Sequence, residues 1–331
     1  MQLTQKKSRR GDLLTAAAVA MLLAVMAALL YTGSLTRQVT NMLIPTAVYI
    51  VMAVSLNLVV GLLGELSLGH AGFMSVGLFS GCLVAIALTN TALPLMVRLP
   101  VSMLAGGLTA AVFGLLVGLP TLRLRGDYLA IVTLACGEII KNIITNLRVT
   151  GGALGLNTTA IYAGAKELLP YGAALVLLTV AVMLNLKRSK YGRAIMAIRD
   201  NRIAAESVGL SVTRYKLAVF VIAAFFAGCA GVLYGHSLAN IKAAAFDYNM
   251  SIEILVIVVL GGMGSVSGSV VSAIVLTVLP EALREVADYR MLVYAVVLIL
   301  VMQATNNPAM KRFFGAACKS LTPKRKERAA L

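Results

Sequence analysis

KRSKYGRAIMAIRDNRIAAESVGLSVTRYK, residues 187–216, is a polar island in an oily chain. It holds eight basic residues (Lys187, Arg188, Lys190, Arg193, Arg199, Arg202, Arg214, Lys216) against two acidic ones, Asp200 and Glu206. The apolar stretches flanking it, 170–186 and 216–235, approach or reach the length that crosses about 30 Å of hydrocarbon. The island is too patterned for a plain linker and too short for a domain. It therefore reads as a structured loop between two membrane helices, and that reading makes the chain an all-α polytopic membrane protein.

Composition agrees. A mean hydropathy of +0.90 with 13% charged residues lies outside the soluble globular range. The first apolar run, Leu13 to Tyr31, follows Lys6, Lys7, Arg9 and Arg10; it is long for a signal-peptide core and reads as an uncleaved anchor. A net charge of +16 could suggest nucleic acid, but the location of the charge argues against that partner. Of 29 Lys and Arg residues, four lie in 1–12, two in 123–125, eight in 187–216 and seven in 311–331. Basic residues mark the cytoplasmic loops of membrane proteins, so these segments, both termini included, are expected inside.

The predicted spans are 13–31, 43–63, 71–89, 98–119, 128–147, 170–186, 216–235, 251–262, 267–280 and 291–305. About ten crossings are expected, with eight plus a re-entrant pair as the alternative. The organisation is then a basic N-terminus (1–12), a membrane domain (13–305) and a basic tail (306–331). The two short runs near 251–280 are separated by GGMGSVSGS. A single Gly-broken helix there would put Lys324, Arg325, Lys326 and Arg328 outside, which the charge rule disfavours.

Three Gly-rich interruptions are expected at or near membrane depth: GELSLGHAG (64–72), TGGALGL (150–156) and GGMGSVSGS (261–269). Irregular backbone survives there only when buried in protein or lining a watery cavity, because lipid cannot satisfy free N–H and C=O groups. Discontinuous helices of this kind line transporter pathways; close helix packing on small residues is the plainer alternative. The candidate pathway or hinge residues are Gly64, Glu65, Ser67, Gly69, His70, Gly151, Gly152, Gly261, Gly262, Gly264 and Ser265. Glu65 beside His70 suggests a hydrogen-bonded hinge. Glu138, Lys141 and Glu253 also fall in apolar runs, where an unpaired charge costs about 2.5–3.5 kcal/mol or more. Glu138 and Lys141 stand three apart, so a helix lets them pair.

Other chemistries are excluded. Cys82, Cys136, Cys229 and Cys318 form no CxxC pair, and His70 and His236 are the only histidines, so no metal spacing exists. No catalytic triad, nucleophile elbow or GxxxxGK[ST] motif occurs, so the chain cannot bind ATP through a P-loop of its own and no cofactor is expected on it. Within the insert, Tyr191–Arg199 spells a short amphipathic helix with Ile195 and Ile198 on one side. Asp200 or Asn201 can cap a second helix over Arg202–Val208, which Gly209 ends. Ala204 and Ala205 give it a small flat surface, and Ile203 and Val208 supply apolar anchors, as helix-in-groove docking requires. A basic loop resting on anionic lipid is the simpler alternative.

Four segments carry a resemblance: LNLVVGLLGELSLGHAGFMSVG (56–77); GDYLAIVTLACGEIIKN (126–142) with TGGALGL (150–156); YGRAIMAIRDNRIAAESVGLSVTRYKLAVFVIAAFFAGCAGVLYG (191–235); and ILVIVVLGGMGSVSGSVVSA (254–273). Together they resemble the M-type permease subunit of branched-chain (hydrophobic) amino-acid ABC transporters. The resemblance implies an ABC importer permease fold in the bacterial inner membrane. It implies a second permease subunit, two cytoplasmic ABC ATPases that use ATP and Mg, and a periplasmic or extracellular substrate-binding protein. The insert would then be the ATPase-coupling segment, with Arg193, Ile198, Arg199, Asp200, Ala204, Ala205, Glu206 and Gly209 as contact residues. Related systems carry urea, short amides or other amino acids. A stand-alone secondary transporter is the alternative class, and it would need a central acidic relay.

Overall fold

The computed structural model describes residues 36–89, 94–124 and 126–282, with scattered positions at 17–30, 296 and 299. It divides into a compact unit ending at Val278 and a second, 279–331, that lies almost wholly outside the described residues. Only scattered positions of the predicted spans 13–31 and 291–305 are described, and both tails and Cys318 fall outside the described residues. Among the described residues each long apolar run becomes a helix, since a helix satisfies its own backbone without water.

Helix α1 (Arg37–Asn57) continues into a π-helical turn, Leu58–Leu63, and is followed by α2 (His70–Thr89), α3 (Leu95–Thr121) and α4 (Asp127–Asn146). Next come α5 (Ala165–Arg188), the short α6 (Lys190–Asp200) and α7 (Arg202–Ser207), then α8 (Val212–His236), α9 (Tyr248–Gly261) and α10 (Val266–Ala282). Seven segments among the described residues are long and apolar enough to cross a membrane; Val266–Pro280 is a shorter apolar helix.

The region 251–280 is resolved in favour of two helices. α9 and α10 form an antiparallel hairpin: a Cβ on Gly261 would strike the Gly268 backbone, and Ser272 Oγ donates to the Ile257 carbonyl at 2.8 Å. The predicted ends also move. α8 starts at Val212 and α5 runs to Arg188, so the polar island's own structure is confined to about 189–211.

Helix α8 is the centre of the bundle. It packs on α1, α2 and α3, and its Ala227–Gly231 stretch lets Gly228 lie against the Gly77 backbone of α2. Small residues allow such approach where no hydrophobic force drives helices together in lipid. On the outside, α3 exposes Met96, Leu104, Leu108 and Leu116, a surface suited to lipid.

At the end opposite the insert, residues 148–163 fold over the end of α8. Two-residue strands β1 (Leu156–Asn157) and β2 (Asn240–Ile241) pair antiparallel, Leu156 opposite Ile241. Thr158 N–H donates to Ala239 O and Ala163 N–H to His236 O, both at 3.0 Å. Gly151, Gly152 and Gly155 all adopt positive φ to turn this cap. Gly151 and Gly152, expected as pathway or hinge residues, lie in this cap, where Gly151 N–H donates to Arg148 O and Gly152 N–H to Leu147 O.

Candidate functional site

The first interruption begins where α1 ends. Gly64, at φ +78°, stops the π-helical turn, and residues 64–69 are neither helix nor strand. The chain then re-enters the bundle. His70, the first residue of α2, places its Nε2 2.8 Å from Ser55 Oγ of α1, nine residues back from Gly64. The irregular backbone finds partners in neighbouring helices: Leu68 N–H donates to Thr133 Oγ1 (3.0 Å) and Ala71 N–H to Ser251 Oγ (3.2 Å). Glu65 and His70 therefore do not form one hinge, as their sequence proximity suggested, because the break points them at different elements.

The third interruption is the α9–α10 turn, with Gly262 and Gly264 at φ +87° and +83°. A buried residue of α1 holds it. Asn57 donates its amide to Ser265 O (3.1 Å) and Ser269 Oγ (2.8 Å), while its Oδ1 accepts the N–H of Gly264 (2.7 Å). Gly61, one turn further on, sits so close that any Cβ would overlap the Gly264 backbone and Asn57 Oδ1. The two breaks are one junction, closed by a single amide with every group occupied.

The basic island grips both halves of this junction. Lys187 Nζ donates to Gly264 O at 2.9 Å, and Arg199 Nη1 to Gly61 O at 3.1 Å. Cations meeting carbonyls at helix ends is the favourable sense of the helix dipole. The Arg199 stem also lies where a Gly64 side chain would be. Lys216, in the first turns of α8, forms an ion pair with Glu65, the two side chains only 6% and 14% exposed. A pair this buried must stay paired, since removing either partner strands a charge.

The island's two helices are set by their caps. Ser189 Oγ accepts Gly192 N–H at 3.0 Å, opening α6; Asn201 Oδ1 accepts Ala204 N–H at 3.0 Å, opening α7. The cap is Asn201; Asp200 is the last residue of α6, where it takes two bonds from Arg199. Ile198, Ala205 and Val212 form a small buried core flanked by Leu210 and Tyr215. Ile198 and Ala205 are consequently corrected from contact residues to internal packing. Turned outward are Arg193, Ala204, Gly209 at φ +83°, and Glu206, which is ion-paired with Arg202. Ile203 and Val208 project furthest, 80% and 78% exposed.

Of the expected pathway residues, Gly64, Glu65, Gly261, Gly262, Gly264 and Ser265 converge at the junction, and Ser67, Gly69 and His70 lead from it into the bundle. Ser67 Oγ is buried with no hydrogen-bond partner among the described residues. Sequence reasoning missed Asn57. Its signal was present, a lone amide in the apolar run 43–63, yet nothing marked it apart from other polar residues. It also assigned the charge of Lys187 and Lys216 to membrane topology alone.

Fold and site define a polytopic α-helical membrane protein in which two broken segments are locked to a basic loop at one end of the bundle. The chain belongs to the family described as branched-chain amino acid transport system / permease component, which matches residues 38–302. It is similar to the high-affinity branched-chain amino acid transport system permease protein LivM of Salmonella typhimurium, 36% identical over 296 residues, and to that of Escherichia coli, 37% identical over 290. Each comparison covers 78% of this chain, and the chain spans 66%, just under two thirds, of either relative. The ribose import permease protein RbsC of Haemophilus influenzae is 25% identical over 287 residues, covering 83% of this chain and 86% of RbsC. No solved structure shows a significant match.

Proposed function

We propose that this chain is the permease subunit of an ATP-driven importer of branched-chain amino acids in the bacterial inner membrane. It forms the pathway with a second permease, receives solute from a binding protein outside the cytoplasm, and seats one of two ATPases on α6 and α7. The observation that carries this reading is the triple grip of Lys187, Arg199 and Lys216 on the two broken segments. A force applied to the insert reaches the segments that interrupt the membrane helices through direct bonds. The outward pair Ile203 and Val208 fits a groove on a soluble partner, as short docking helices require. The LivM relatives support the substrate class, and the basic island's position supports a cytoplasmic insert.

The test is to reconstitute the chain with the partner genes of its operon in liposomes and measure ATP-dependent uptake of leucine, isoleucine and valine. Stimulation of ATP hydrolysis by a loaded binding protein is expected. Uptake of ribose instead, or uptake by this chain alone, would overturn the assignment.

A further inference from the structure

Helix α4 carries charge that the junction does not use. Its mean hydropathy, 1.5, is the lowest of the membrane-length segments, and only 33% of its apolar window is buried. Glu138 lies eleven residues along it, about 16 Å from its start and therefore near mid-depth. One carboxylate oxygen pairs with Lys141, and the other accepts the Tyr248 N–H of α9 at 2.8 Å. The pair keeps 26% (Glu138) and 19% (Lys141) of its side chains exposed.

The composition of α4 changes at this pair. Towards the insert end the exposed positions are Asp127, Tyr128, Ile131 and Ala135; towards the opposite end a polar stripe of Lys141, Asn142, Thr145 and Asn146 runs beside exposed Ile139, Ile143 and Leu147. A polar lane thus descends from one membrane face and stops at an ion pair in the middle. Thr145 Oγ1 donates to Lys141 O and Asn146 Nδ2 to Asn142 O, both at 2.8 Å, whereas lipid offers no partner to the Asn142 side chain. The lane ends where other elements converge on α4: Gly72 lies against Gly137, Leu68 N–H reaches Thr133, and α9 starts at Glu138. The first turns of two discontinuous helices, α2 and α9, meet a charged pair there.

Resting on the importer reading above, we infer that Glu138 and Lys141 form a mid-membrane way-station for a zwitterionic α-amino acid with an apolar side chain. The pair carries one charge of each sign, so a zwitterion can exchange with it without leaving either unpaired. The substrate ammonium replaces Lys141 on the Glu138 carboxylate. The released Lys141, with the Asn142 amide, takes the substrate carboxylate. Exposed Ile139 on α4 and Ile252 on α9 offer aliphatic surface for the side chain. Bonds lost within the pair are remade to substrate, which keeps passage reversible.

The assembled transporter in liposomes tests this. Glu138→Gln, which keeps an acceptor for Tyr248 N–H, and Lys141→Met are each expected to lower leucine uptake at least tenfold. Ile131→Ala, on the apolar half of α4, should leave it unchanged. A second readout does not depend on uptake. With Cys136→Ala as background, Asn142→Cys should react with a charged, membrane-impermeant thiol reagent, and leucine with loaded binding protein should slow that reaction. A cysteine that never reacts faces lipid, and the lane does not exist. Wild-type uptake of leucine with an unimpaired Glu138→Gln sinks this inference alone, whereas a wild-type complex that imports no branched-chain amino acid sinks the parent reading.

Discussion

At the scale of single residues, the junction depends on Asn57 and Lys216. Asn57→Leu fits the space but leaves Gly264 N–H without its acceptor in a buried site and removes the amide's bonds to Ser265 O and Ser269 Oγ, which keep only the bond between them and the Ser269 N–H. Each such group costs about 1–3 kcal/mol. Unfolding of the purified chain in detergent should show a loss of roughly 2–4 kcal/mol in total, because some of these groups find other partners. Lys216→Met strands the Glu65 carboxylate and should cost about 3–5 kcal/mol, most of it recovered in the double variant K216M/E65Q. If the double variant is no more stable than the single, the pair is not a coupled unit. These residues also show where sequence reading stopped. The cost of a buried amide depends on what faces it, and Asn57 faces residues more than two hundred positions away. Local pattern carries no trace of that pairing, whereas Glu138 and Lys141, three apart on one helix, were legible at once.

At the scale of elements, the short helices α6 and α7 were readable almost to the residue. Caps, a left-handed glycine and an amphipathic period are all local signals. Which face points outward was not readable, because Ile198 and Ala205 are claimed by Val212, the first residue of the next span. The outward face is Ala204, Ile203 and Val208, and the docking reading is tested there. Ala204→Arg or Gly209→Arg should abolish substrate-stimulated ATP hydrolysis in the assembled complex while the chain still inserts. Ile203→Ser with Val208→Ser should weaken ATPase association in a pull-down at least tenfold. Ala204, Ile203 and Val208 lie outside the internal core, so those variants should change the chain's own thermal stability little, whereas Gly209→Arg adds about 1–2 kcal/mol of left-handed strain. Full stimulation in the arginine variants would remove α6 and α7 from the coupling route. The break at 64–69 was legible as a break, yet its course back to Ser55 was set by partners on α4 and α9 that no local pattern names.

For the whole molecule, charge placement and hydropathy sufficed for the class and, among the described residues, for seven membrane-length segments and one shorter apolar helix, since lipid leaves the chain few alternatives. Sidedness can be checked directly. Cysteines placed at Ser211 and Ser320 should label from the cytoplasmic side and one at Leu154, on the opposite cap, from outside. Labelling of Ser211 and Leu154 from the same side would contradict the bundle. The bond between Asn57 and Gly264 has a consequence in time as well as in space. A chain emerges from the ribosome at about 5–20 residues per second, so α1 enters the bilayer some 10–40 s before its partner turn exists. Through that interval Asn57 waits in the membrane with its bonding capacity unfilled. The α9–α10 hairpin, made about two hundred residues later, is therefore the clasp that completes α1, and a nascent chain halted before residue 264 carries an open junction.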